Sequence, residues 1–259
     1  MKKSFTSITR AEWEERPQRL KGAHPVIIRG NSKESAMVEV ESNCTLFGRL
    51  LSPQPGDVFL EVGCGNCLYL QRFAPRVHTA LGLDLSINML KLAKADAGQA
   101  GVRLQLAEGS AHQLPFADSS IDKLLNNAML EYLPPAVLPE FFGEIRRVLM
   151  PGGLALISEV PLRWRLYGLQ NRLIDIARNI KRGLTGREPV FYNRFTASGC
   201  ARAIEQAGLR IVHEQTQTYG TAFLPAALGR RIQQRCEQRG TYSTLFSCYY
   251  LFLCTRDEH

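Results

Sequence analysis

The chain has 259 residues, 45% of them hydrophobic, which is enough to bury a full α/β core, and no internal repeat or low-complexity stretch divides it. The longest aromatic-rich apolar run, 245–254, is about half of what a membrane span needs, and two lysines at the start are followed by no apolar core of a signal peptide, so a cytoplasmic protein is expected. Seven cysteines, an odd number, argue against a disulfide framework. The net charge of +8 is unevenly spread: residues 1–160 carry 17 basic and 17 acidic groups, and residues 161–259 carry 15 and 7. A neutral front part therefore precedes a basic appendage, whose partners are expected to be apolar or anionic.

Met37, Val40, Cys44, Phe47 and Leu51 recur at helical spacing and Ser52-Pro53 ends the pattern, so Lys33 to Leu51 reads as a helix, expected to cover a ligand cleft. A strand near 57–62 follows, ending in Glu61, and the chain then reads Gly63-Cys64-Gly65-Asn66-Cys67. Two glycines spaced this way let backbone turn sharply at the carboxyl end of a strand and let a ligand approach closely. The next strand, near 77–83, ends at Asp84, about twenty residues beyond the glycines, where a carboxylate can accept both hydroxyls of a ribose. A dinucleotide fold would place a third glycine at Leu68, and Glu61 would repel a pyrophosphate but attract an ammonium or lie near a sulfonium. The loop suits a cationic nucleoside. Cys64 and Cys67 form a C-x-x-C, but no second pair has ligand spacing, so small side chains in a tight loop are the simpler reading and no metal is expected.

Helices near 66–73, 86–100 and 136–149 alternate with strands near 102–107, 121–127 and 153–159, with Pro151-Gly152-Gly153 turning into the last of these. Ser86 suits the N-cap of the second helix. Alternation at this spacing implies right-handed crossovers and a parallel sheet, a doubly wound α/β fold. Leu166, Leu169, Leu173, Ile176 and Ile180 then recur at helical spacing with Arg165, Arg172, Arg178, Lys181 and Arg182 between them, a basic amphipathic helix. Three readings stay open for it: a roof over the active site, contact with a membrane surface or anionic lipid-like acceptor, and nucleic acid, the last disfavoured because no RNA-binding module is recognised. Thr196 to Ala207 reads as a helix ending at Gly208, with strands near 209–216 and 245–255.

On these residues the chain resembles the class I S-adenosylmethionine (SAM) dependent methyltransferases, most closely the branch of quinone-biosynthesis and other small-molecule enzymes. Glu61 to Cys67 looks like the glycine-loop motif, LGLDLSINML like the ribose-binding strand and next helix, EGSAHQLPFADSSIDKLL like the adenine loop and fourth strand, and EIRRVLMPGGLALIS like the helix and fifth strand. The resemblance implies a Rossmann-like, mostly parallel seven-stranded sheet with an antiparallel last strand, and SAM as cofactor. It implies Glu61 near the methionine amino group, Gly63 and Gly65 under the methionine portion, Asp84 and Leu85 at the ribose, Ser110 and Ala111 lining the adenine, and Asn126 offering its carbonyl to the ligand's amine. Two departures stand out: Cys67 replaces a third glycine, and Ser110 replaces an acid, so adenine selectivity should be relaxed. Glu131, Tyr132 and His112 are the candidate bases; Glu131 and Tyr132 follow the fourth strand, where the family places acceptor-facing residues, with Tyr132 favoured as a pocket wall, and His112 adjoins the adenine loop, where packing is the simpler role.

The expected organisation is 1–52 as lid and acceptor-side helices, 53–160 as SAM-binding core, 161–194 as a basic amphipathic insertion and 195–259 completing the sheet, with a helical insertion near 217–244. The expected activity is methyl transfer to a small apolar or lipid-like acceptor at oxygen or carbon, with peripheral membrane contact through residues 163–182. An RNA methyltransferase and a non-catalytic SAM-binding subunit are the alternatives. An Asn-Pro-Pro-Tyr run is missing after the fourth strand, where Asn126-Asn127-Ala128-Met129 stands, which favours the small acceptor.

Overall fold

The computed structural model describes residues 5–19, 33–161, 166–186, 193–217 and 249–257. The expected insertion near 217–244, the first residues of the last strand, Arg163, Trp164 and Arg165 lie outside these.

Seven strands form one sheet: β1 (Val58–Val62), β2 (Thr79–Asp84), β3 (Gln105–Glu108), β4 (Ile121–Asn127), β5 (Leu149–Pro161), β6 (Arg210–Gln217) and β7 (Tyr249–Thr255), in the order β3-β2-β1-β4-β5-β7-β6. The first five run parallel, and β7 inserts antiparallel between β5 and β6. This is the doubly wound, mostly parallel sheet expected from the sequence. Strand order reverses at β1, which sends the β1 and β4 crossovers to opposite sides and opens a crevice at their carboxyl ends.

Among the described residues seven α-helices accompany the sheet: α1 (Phe5–Arg19), α2 (Lys33–Leu51), α3 (Leu70–Phe73), α4 (Ile87–Gln99), α5 (Leu138–Val148), α6 (Leu166–Leu184) and α7 (Ala197–Gln206). Side chains alternate between two core layers, as a strand period of two demands. Leu60, Val62, Leu124, Phe252 and Cys254 pack with Phe141, Phe142 and Ile145 of α5 and Ile204 of α7. Phe59, Leu125, Leu251 and Leu253 pack with Phe47 and Leu51 of α2, Phe73 of α3 and Leu90 of α4. Each fully buried phenylalanine or leucine here contributes about 1.5–3 kcal/mol relative to exposure. The C-terminal half of α2 is thus a core helix.

Three boundaries depart from the sequence expectation for local reasons. The helix expected near 66–73 is only Leu70–Phe73, because Cys67 takes a positive φ of 58° that no helix accepts and the Glu61 carboxylate caps the chain at the Leu70 N–H (2.9 Å). The Pro151-Gly152-Gly153 turn is a bulge inside β5, which already pairs with β4 at Leu149 and resumes its register at Leu154, with Gly152 at φ 75°. Residues 5–19 form a helix that carries no apolar periodicity and contains Pro17. Elsewhere local chemistry behaves as read: Ser86 Oγ accepts from Met89 N–H to cap α4, Thr196 Oγ1 accepts from Gly199 N–H to cap α7, and Gly208 at φ 80° follows its end.

Candidate active site

The crevice is built at the carboxyl ends of β1, β2 and β4. Gly63 (φ 72°) and Gly65 (φ 53°) turn the chain sharply, and the Gly63 and Cys64 N–H groups both donate to Leu83 O (2.8 and 3.0 Å), fastening the loop to β2. Cys67 keeps the left-handed backbone that a third glycine would adopt. The Cys64 and Cys67 sulfurs are buried against Gly82, where an added Cβ would lie 3.0 Å from each. Burial pushes the Cys64 thiol up, which keeps it protonated and inert.

Asp84 faces this loop. Its Oδ2 accepts from the Gly65 N–H (2.7 Å) and its Oδ1 from the Ser86 N–H (2.9 Å), so both oxygens are oriented by backbone while each retains a second lone pair. Burial raises its carboxyl, the N–H groups of Ser86, Gly65 and Leu85 oppose that, and the Glu14 charge adds to it. Glu61 is fully enclosed; burial pushes its carboxyl up to about 8, the Leu70 N–H works against the rise, and Asp84 adds to it.

Asn126 completes the group. It is fully buried at the end of β4, its Nδ2 donates to Val62 O (2.9 Å), and its Oδ1 has no hydrogen-bond partner. A buried acceptor left unmade costs about 1–3 kcal/mol, which a ligand N–H can recover. Two enclosed carboxylates and an orphaned amide oxygen around bare main chain fit a ligand carrying an ammonium and a vicinal diol. Leu85 lies between Asp84 and the Ser86 cap.

Ser110 and Ala111 stand in the loop after β3, which the Gly109 N–H ties to Asp84 O (3.0 Å). Ser110 Oγ shares a hydrogen bond with His112 Nδ1 (2.9 Å), so His112 stands on the β3 side of the crevice. Arg147 of α5 braces this loop, donating to Leu114 O, Phe116 O, Asp118 and Glu144, while Glu144 accepts from the Leu114 N–H. Hydrogen bonding to Arg147 holds the Glu144 carboxyl below its ordinary range.

Glu131 and Tyr132 lie on a single helical turn, Leu130–Tyr132, beyond β4. Its approach is strained, with Ala128 at φ 54°. Met129 covers Gly63 so closely that a Cβ there would meet its Cγ at 2.5 Å, which sets the turn directly over the glycine loop. Glu131 O accepts from the Asn193 N–H (2.7 Å) and Leu133 O from Asn193 Nδ2 (2.7 Å). Glu131 and Tyr132 thus follow directly on the residue that covers Gly63, while His112 is hydrogen-bonded to Ser110 in the loop after β3.

Sequence reasoning gave lid helices within 1–52 but no bounds or partners for α1, which reaches across these strand ends. Glu14 accepts from the Ile87 and Asn88 N–H groups (2.8 and 3.1 Å) at the start of α4, Arg10 pairs with Glu108 at the end of β3 (2.9 Å), and Trp13 meets Tyr132 edge to face at 5.3 Å. Arg16 lies over the Trp13 ring at 4.1 Å. Glu12 pairs with Arg182 of α6 (2.6 Å). The helix thus spans the crevice from the β3 side to the β4 side. Without an apolar stripe, only its tertiary partners mark it.

Residues 60–157 match a family model described as a methyltransferase domain. A ubiquinone biosynthesis O-methyltransferase of Brucella anthropi is 26% identical over 182 residues, covering 69% of this chain and 71% of that protein. Among solved structures, the [4+2]-cyclase SpnF superposes with a TM-score of 0.69 at 16% identity, covering 99% of this chain and 97% of that one. Magnesium protoporphyrin IX methyltransferase (ChlM) from Synechocystis PCC 6803 with bound SAH superposes with a TM-score of 0.65 at 13% identity, covering 98% and 100%. The structural likenesses establish the fold, and the domain match with its sequence relatives establishes the class: the chain is a class I SAM-dependent methyltransferase. Within that class it groups with the small-molecule methyltransferases, and its cofactor is SAM.

Proposed function

We propose that this methyltransferase acts on a small, apolar or lipid-like acceptor at oxygen or carbon. The observation that supports the reading is the edge-to-face pair of Trp13 and Tyr132, because Tyr132 shares with Glu131 the helical turn that follows Met129, the residue packed over Gly63. The relative from Brucella anthropi, named for O-methylation in ubiquinone biosynthesis, supports the same class of acceptor.

Bound SAM supplies an electrophilic methyl on a sulfonium, so the protein's task is positioning, exclusion of water and proton management. In this reading Asp84 accepts from the ribose hydroxyls, with Leu85 beside it. Glu61 and Asn126 Oδ1 face the ligand ammonium, Gly63 and Gly65 admit the methionine portion, and Ser110 and Ala111 line the adenine. Glu131 takes the acceptor's proton, and Tyr132 shapes the pocket. Helix α1, pinned by Glu14 and Arg10, closes the crevice against water. Residues 1–52 then serve as lid and acceptor-side helices around a core at 53–160, with 161–194 and 195–259 completing the acceptor side and the sheet. The protein works in the cytoplasm, with peripheral membrane contact through residues 163–182, where an apolar acceptor partitions.

Glu61 gives the reading a pH signature. Its raised carboxyl is mostly protonated at neutral pH in the free enzyme, whereas a facing ammonium favours the carboxylate, so ligand binding expels a proton below about pH 8. Affinity for S-adenosylhomocysteine is expected to rise with pH between 6 and 8, by at most about tenfold per unit, and Glu61→Gln to flatten this limb; calorimetry in buffers of different ionisation heat reads the released proton directly. For the ligand-free protein the sign is opposite. Between the ordinary carboxylate value of 4.5 and about 8 the native state holds a proton that the unfolded chain has lost, so its stability falls as pH rises through that window.

The acceptor class is tested by incubating the enzyme with radiolabelled SAM and a fractionated extract of its own cells. Label is expected in lipid-soluble or small-molecule fractions. Label confined to RNA, or tight SAM binding with no transfer, contradicts the reading.

A further inference from the structure

We propose that the outer face of α6 is a docking surface for an anionic lipid bilayer. The helix is mounted inside out. Leu173, Ile176, Ile180 and Leu184 share one stripe at helical spacing and are 62, 57, 60 and 83% exposed. About half a turn round the helix, Asp175 pairs with Arg194 and Arg182 with Glu12, and these four side chains are only 12–18% exposed. A helix that serves its own domain buries the apolar stripe and hydrates the charges. Here the charged face is fastened to the body and the apolar face is turned to solvent.

Charge selects the occupant. Residues 161–190 contain seven basic and two acidic groups, and once Arg182 and Asp175 are committed to their partners six basic groups remain against one acidic. An excess of positive charge in the sequence that carries this face disfavours a second copy of the same segment and suits an anionic leaflet, where each basic residue near the surface contributes about 1 kcal/mol. Exposed Lys181 flanks the stripe, where its stem can lie along the apolar boundary with its ammonium among head groups. Nucleic acid would also meet the charge, but it offers nothing to four aliphatic side chains. No described helix is long and apolar enough to cross a membrane, so α6 lies in the plane of the interface.

The Arg182–Glu12 pair gives this docking its consequence, because it joins the anchored helix to α1 over the crevice. Bilayer contact then presents the acceptor side of the site to molecules dissolved in the leaflet. Only that use rests on the lipid-like acceptor; the docking stands on the helix itself.

The test is sedimentation of the full chain with phosphatidylcholine vesicles, with and without about a third phosphatidylglycerol, for the wild type and a Leu173→Ser/Ile176→Ser/Ile180→Ser variant. The wild type is expected to bind the anionic vesicles, less so at high salt, and the variant to partition about a hundredfold more weakly while keeping SAM affinity and thermal stability. Absence of binding to anionic vesicles, or equal binding by the variant, overturns the proposal. So does a wild-type dimer in solution that the variant dissociates, or retention of an RNA mixture in place of vesicles. Vesicle binding with methyl transfer only to a water-soluble acceptor keeps the docking surface and overturns the acceptor class. Methylation of a lipid-like acceptor in detergent, without vesicle binding, does the reverse.

Discussion

Glu131→Gln is expected to lower kcat by about 10²–10⁴-fold, the range of a positioned general base, while SAM affinity stays within about twofold of the wild type. The split follows from geometry. Glu131 lies on the turn that follows Met129 above the glycine loop and is held there through its carbonyl by Asn193, whereas the hydrogen bonds that orient the loop come from Asp84, Leu83 and Glu61. Glutamine keeps the shape of the side chain and cannot take a proton, so turnover should fall while the fold is kept. Tyr132→Phe keeps the ring against Trp13 and should change turnover only a few-fold, since Tyr132 is proposed as wall and not as base. Normal turnover in Glu131→Gln removes the proposed base.

Asp84→Ala is expected to weaken SAM binding about ten- to a hundredfold, equivalent to the roughly 1.5–3 kcal/mol carried by a hydrogen bond to a charged group. Two losses combine. The ribose diol loses its acceptor, and the N–H groups of Gly65 and Ser86 lose the carboxylate that orients them, so the loop under the methionine portion is freed as well. Asp84→Asn should also bind weakly, because its amide can place an N–H donor against one of those backbone donors. Calorimetry reads the affinity, and thermal unfolding of each variant separates loss of binding from loss of fold. Unchanged affinity with the fold intact contradicts the assignment of Asp84.

The sheet was legible because parallel strands buried on both faces leave short apolar runs ending at glycine and acid, and Ser86, Thr196 and Gly208 announce helix ends by local chemistry. Glu61, Gly63, Gly65 and Asp84 were legible for the same reason, since each belongs to a strand end whose spacing is fixed by one crossover. The bounds and docking of helix α1, within the expected lid region, were not legible: its place depends on Glu14 meeting the start of α4, on Arg10 meeting Glu108 and on Trp13 meeting Tyr132, all far away in sequence. The short α3 was misjudged because the left-handed Cys67 looks like any other residue until its backbone is known. Periodicity in α6 gave the apolar stripe but not its direction, because a pattern is the same whether the stripe faces core or solvent. Its orientation is set by the Asp175 and Arg182 ion pairs on the other side. The orphaned Asn126 Oδ1 likewise emerges only when the neighbours of β4 are in place.

The central claim is the way this crevice holds its methyl donor, and it is tested most directly by a crystal structure of the protein with S-adenosylhomocysteine. The account predicts ribose hydroxyls within hydrogen-bond distance of Asp84, the ammonium at Asn126 Oδ1 and Glu61, and the methionine portion along Gly63 and Gly65. A crevice that stays empty at saturating ligand, or that takes a nicotinamide nucleotide in its stead, contradicts it.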